Sequence, residues 1–219
     1  MEIDNTLESM QQALLDVRRA QRLLVAYHQR LLPIIGHVAE ALHCRFLSWE
    51  PTYHARPGAQ NPNPFECWSW EHSPLNDARF LFLSDTVRDV ERATPEDWML
   101  SVRLVTDSGL EASMLKQHKN WDATEIQPDP DDSHSRLTFV AYHPLSELRQ
   151  AGVWPSLAAD NPTPPADGRP VPLTQDGEMF AMEVELARLA EDNGITELID
   201  QLRCRLLANG YPGCGLSTF

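Results

Sequence analysis

Between Leu7 and Leu31 the apolar residues Leu7, Met10, Leu14, Val17, Leu24, Tyr27 and Leu31 recur at steps of three, four or seven, and after Cys44 the pattern changes to that of extended chain. The first spacing gathers side chains on one face of a helix, and the second sends alternate side chains to opposite faces of a sheet. Pro33 has no amide hydrogen and disfavours helical geometry in the residue before it. The long helix is therefore expected to be kinked or split at Pro33, with Ile34, Ile35, Val38 and Leu42 continuing its apolar face.

Five strands are predicted, over Arg45–Glu50, Ala78–Ser84, Trp98–Val105, Leu137–Tyr142 and Phe180–Ala187. In the last, Phe180, Met182, Val184 and Leu186 point one way and Ala181, Glu183, Glu185 and Ala187 the other, as in a sheet with one solvated face. Asp107-Ser108-Gly109 reads as a turn with positive φ at the glycine, followed by a strand or a short helix over Leu110–His118. Ile195, Leu198, Ile199, Leu202 and Leu206 mark a C-terminal helix that stops at Asn209-Gly210. The expected fold is α+β, with the N-terminal and C-terminal helices packed on a mainly antiparallel sheet of about five strands. A single domain over residues 1–219 is expected, with long surface loops at 51–77, 120–133 and 144–178.

The formal net charge is -14, and most of the acidic excess lies after residue 95. Such a surface repels nucleic-acid phosphates and anionic membranes, so neither is expected as a partner; it favours solubility or encounter with a basic protein. The start of the chain lacks a signal-peptide pattern, and no run of about 18 apolar residues occurs, which predicts a soluble, cytoplasmic protein. Cys44, Cys67, Cys204 and Cys214 are widely spaced, a distribution expected of reduced thiols. Sixteen arginines against two lysines fit the coding bias of a GC-rich, bacterial genome.

No phosphate-binding loop, dinucleotide fingerprint, zinc-protease helix, nucleophile elbow or paired CxxC occurs. That weighs against an enzyme without excluding one, and no cofactor or metal is expected. The densest chemical material runs from His43 to His72. There Tyr53, His54, Cys67, Trp68, Trp70 and His72 are candidate binding residues. Cys67 and His72 resemble part of a zinc ligand set but lack the paired close spacings of a structural site. A Cys67 nucleophile needs a histidine base that spacing alone does not supply. Trp68 and Trp70 share a face if extended and could anchor a partner, although tryptophans more often pack into their own core.

Glu183 and Glu185 share one strand face, where they suit acid-base work, cation binding or plain solvation. Asp129, Asp131 and Asp132 lack the glycine and terminal glutamate of a calcium loop and read as a solvated turn. Arg18, Arg19 and Arg22 form a small basic patch suited to an anion or to salt bridges with the protein's own acids.

The residues do not determine the activity. Their best functional reading is a bacterial acidic protein-interaction module, inhibitor or immunity-like, that binds a protein partner; homo-oligomerisation through the N-terminal helix is a further expectation. The alternative is a small-ligand-binding or enzymatic domain with a pocket under the aromatic loop 51–77.

Overall fold

The computed structural model describes residues 7–52, 75–115 and 126–213. The chain divides into two compact units, Met1–Val38 and Ala39–Phe219. In the first, helix α1 (Leu7–Ala41) begins; it runs without a break through Pro33, so the predicted split does not occur. Proline removes only one backbone donor of the helical ladder, and the helical hydrogen bonds on either side remain. The last turn of α1 belongs to the second unit, where Arg203 donates a 2.7 Å hydrogen bond to the carbonyl of Ala41. That satisfies one of the carbonyls left open at a helix end. His43 then takes a φ of 57° as the chain turns into the first strand.

The second unit is built on strands β1 (Cys44–Pro51), β2 (Asp77–Ser84), β3 (Arg92–Ala93), β4 (Met99–Val105), β5 (Arg136–Pro144), β6 (Leu148–Arg149), β7 (Val171–Pro172) and β8 (Gly177–Glu185). Six of them form one sheet in the order β1-β2-β4-β5-β8-β7, and β3 pairs with β6 apart from it. Every pairing is antiparallel. Helices α2 (Ser108–Leu115), α3 (Val153–Asp160) and α4 (Gly194–Ala208) complete the unit. The chain is α+β, and its five long strands lie at the five places where the sequence alternates.

The register sorts side chains into two unlike faces. On one face, Phe82, Leu100, Ala141 and Phe180 form a row, followed by Phe80, Val102, Phe139 and Met182, and then by Ala78, Leu104, Leu137 and Val184. These three rows are apolar, and beyond them on the same face His143 pairs with Glu178. Tyr211, just beyond α4, seats on this face: its hydroxyl donates to Ala141 O at 2.9 Å and its ring meets Phe180 edge-on. The opposite face changes along the strands. Its rows Leu83-Met99-Tyr142-Met179 and Leu81-Ser101-Val140-Ala181 are buried, whereas the next, Arg79-Arg103-Thr138-Glu183, is polar.

The buried rows of that face are covered by Val153, Trp154, Leu157 and Ala158 of α3, with Leu173 beside them. This corrects two expectations. The proline-rich stretch 144–178 is not an irregular surface loop, since it holds β6, α3 and β7 and contributes core residues. The outward set of β8 is likewise solvated only at Glu183 and Glu185, while Ala181 is fully buried. Proline misleads here because Pro155 occupies the first turn of α3, where its missing amide has no helical partner to lose.

Gly109 lies in helix α2, not in a positive-φ turn. Its role is close approach: a Cβ there would lie 2.7 Å from Pro128 O. The Asn209-Gly210 stop is as expected, with φ of 74° at Gly210 and Tyr211 N donating to Leu206 O at 3.0 Å.

If α3 is core, Leu157→Ala will lower the unfolding free energy by about 2–5 kcal/mol, as a buried leucine truncation does; urea titration followed by tryptophan fluorescence measures it. Burial raises the Tyr142 phenol above its ordinary 10.0, with Arg79 partly opposing. A folded value above the unfolded one gives stability that is complete below the unfolded value and lost as pH climbs through the folded one. The stability of the wild-type chain relative to Tyr142→Phe is therefore expected to fall above pH about 10.

Candidate functional site

Where α3 stops covering the sheet, the rows Arg79-Arg103-Thr138-Glu183 and Asp77-Val105-Arg136-Glu185 place charged groups side by side. Strand pairing joins four of these charges, with Glu111 of α2, into a chain. Arg103 grips Asp77 with Nε to Oδ1 at 2.9 Å and Nη2 to Oδ2 at 2.5 Å, a bidentate pair. Its Nη2 also lies 3.0 Å from Glu111 Oε1 of α2. Glu111 Oε2 accepts from Arg136, whose Nε reaches Glu183 Oε2 at 3.1 Å. Thr52 donates to Asp77 at 2.6 Å, and Thr138 donates to Glu183 at 3.2 Å.

The two arginines and Glu111 are largely shielded from solvent, with side-chain exposures of 14–18%. Planar guanidinium forks suit such shared carboxylates, and each charge in the interior of the chain has partners on two sides. Glu183, one of the sequence candidates, is thus the half-exposed terminus of a network and not an isolated acid or base. Glu185 is exposed one row further on. The remaining sequence candidates, Tyr53, His54, Cys67, Trp68, Trp70 and His72, lie outside the described residues.

Ser108 and His134 approach each other beside this network, with Oγ 3.2 Å from Nδ1. The geometry does not activate the serine. Arg136 Nη1 lies 3.2 Å from His134 Nε2, and an arginine can only donate, so Nε2 accepts and Nδ1 carries the proton. The ring then donates to Ser108 Oγ, the reverse of what a general base requires.

On the other side of Glu183 the chain leaves β8 through a 3-10 turn, Leu186–Ala190, and enters α4. Gly194 makes that entry: a Cβ there would fall 2.1 Å from Arg188 O, so only glycine lets the two backbones come this close. The result is a shallow cleft of about 40 Å³ lined by Met182, Glu183 and Val184, by Arg188 and Glu191, and by Gly194, Glu197, Leu198 and Gln201. That volume admits a few waters or the tip of a side chain and is far below that of a metabolite site. Three carboxylates and one arginine line it.

Among the described residues, no group of three or more His, Cys, Asp or Glu is placed to hold a metal ion. Asp129 precedes an exposed 3-10 turn, Pro130–Asp132, and Arg19 pairs with Asp16 at 3.1 Å on α1. Cys44 is buried and Cys204 exposed. No described helix is long and apolar enough to cross a membrane.

Sequence reasoning missed Asp77, Arg103, Glu111, Arg136, Glu191 and Glu197. No short spacing could have found the network, because its members come from four strands and a helix; the acidic run around α4 was visible only as composition.

Fold and site together define an α+β protein with a meandering antiparallel sheet, an arginine-carboxylate network at one sheet end and an acidic cleft beside it. The chain belongs to the PM0109 family, whose model matches residues 7–209. No curated protein and no solved structure matches it.

Arg136→Gln is expected to lower the unfolding free energy by about 1–3 kcal/mol, because it leaves shielded carboxylates without their charge-assisted donor. Glu183→Gln, at the exposed terminus, is expected to change it by less than about 1 kcal/mol. Urea titration of both variants tests that order.

Proposed function

We propose that this chain is an acidic protein-interaction module, of the inhibitor or immunity-like kind, that binds a basic protein partner through the cleft between β8 and α4. The observation that carries this reading is the cleft itself. It is too small for a metabolite, and Glu183, Glu191 and Glu197 line it. A basic side chain that enters it exchanges water for several carboxylates held on a strand, a turn and a helix. The formal charge of -14 adds long-range attraction, which speeds encounter more than it deepens affinity. Glu185, Asp192 and Asp200 extend the exposed acidic surface around the cleft. The cytoplasm of a bacterial cell is the setting proposed for this activity, as the coding bias and the wide spacing of the cysteines favour it.

The tagged chain, used as bait in extracts of the organism that encodes it, is expected to retain one basic protein in fixed stoichiometry. With that partner purified, Glu191→Gln combined with Glu197→Gln should weaken binding about 3–10-fold, as for partly exposed ion pairs. Raising salt from about 0.05 to about 0.5 M should weaken it further, since the Debye length shrinks below 5 Å. Absence of any stoichiometric partner, or affinity indifferent to both changes, would overturn the proposal.

A further inference from the structure

Helix α1 carries a second surface, independent of the cleft. Leu7, Leu14 and Gln21 lie seven residues apart, as do Met10, Val17 and Leu24, and the two series are offset by three. An interval of seven divides into 3.5 residues per turn, not 3.6, so this is the narrow seam of a helix matched to another helix. A helix covered by a globular core shows a broader stripe. Its apolar members are open to solvent: Leu7, Met10, Leu14, Val17 and Leu24 are between 39% and 75% exposed. Leu23 is also exposed but lies off the seam.

Charge indicates the occupant. Within α1, residues 7–16 contain Glu8 and Asp16 and no base, whereas residues 17–34 contain Arg18, Arg19, Arg22 and Arg30 and no acid. A helix so divided is complementary to itself when reversed and repels itself when aligned in parallel. We propose that α1 pairs with α1 of a second copy of this chain as an antiparallel coiled coil. With Leu14 set against Val17 of the second copy, Leu7 meets Leu24, Met10 meets Gln21, and Glu8 comes beside the partner's Arg22. The two-fold symmetry closes the assembly at a dimer.

The seam from Leu7 to Leu24 is about 27 Å long at 1.5 Å per residue. That is short against the roughly 800 Å² per partner of a standard interface, which places the dimer in the micromolar range. Gln21 weakens two of the six layers by putting an amide among apolar groups, as single polar seam residues do.

Light scattering on the full chain is expected to show a monomer near 1 μM passing to a dimer by about 100 μM. Leu14→Glu with Val17→Glu should stay monomeric at every concentration with the far-UV circular dichroism of the folded chain. Gln21→Leu, which threatens no fold, should tighten the dimer about tenfold or more. Mixed Leu7→Cys and Leu24→Cys chains, oxidised and mapped by mass spectrometry, should link residue 7 to residue 24 in preference to like with like. A monomer at about 100 μM, a dimer that survives the double glutamate change, preferred like-with-like links, or binding to anionic vesicles in place of dimerisation would overturn the proposal.

Discussion

Strands β4 and β5 are buried along almost their whole length on both faces. A sheet whose central strands have no solvated side must be covered twice, and that requirement organises the second unit. One face carries three apolar rows, with His143 and Glu178 beyond them, and receives Tyr211. The other is apolar only as far as α3 and Leu173 reach, and its side chains turn charged where the cover ends. The network at Arg103, Glu111 and Arg136 follows from that limit, because residues at the boundary of a layer are too shielded to stay unpaired and too polar to be covered.

The same boundary sets the chemistry open to the protein. Arginines that each hold two carboxylates are positioned and neutralised, which suits a rigid support better than a reacting group. Ser108 and His134 lie next to it with the proton on the wrong side of the imidazole for catalysis. What remains open to solvent is mainly acidic: Glu183 at the end of the network, and Glu191 and Glu197 across the turn from it, with Arg188 beside them. These carboxylates beside the small cleft are the basis of the protein recognition proposed above.

The first unit obeys a different rule. A sheet side chain is buried by its own chain's layers, whereas the seam of α1 between Leu7 and Leu24 is exposed although its spacing is that of a buried contact. Family membership covers both units, since the PM0109 match runs from residue 7 to residue 209. The interaction surfaces proposed for the chain therefore differ in kind, one electrostatic on the sheet unit and one mainly apolar on the helix.

Periodicity alone determined the helix from Leu7, the five long strands and the C-terminal helix with its stop at Asn209-Gly210, because each is a local pattern of apolar side chains or of backbone freedom. Glu183 and Glu185 were legible as outward residues for the same reason. Tertiary structure alone decided that α1 passes through Pro33, that Gly109 serves close approach within a helix, and that a proline-rich stretch supplies a layer of the core. It also decided the partners of Glu183. Arg136 and Glu111 stand far from it in sequence, and only the register of β5 with β8 and the placement of α2 bring their charges together.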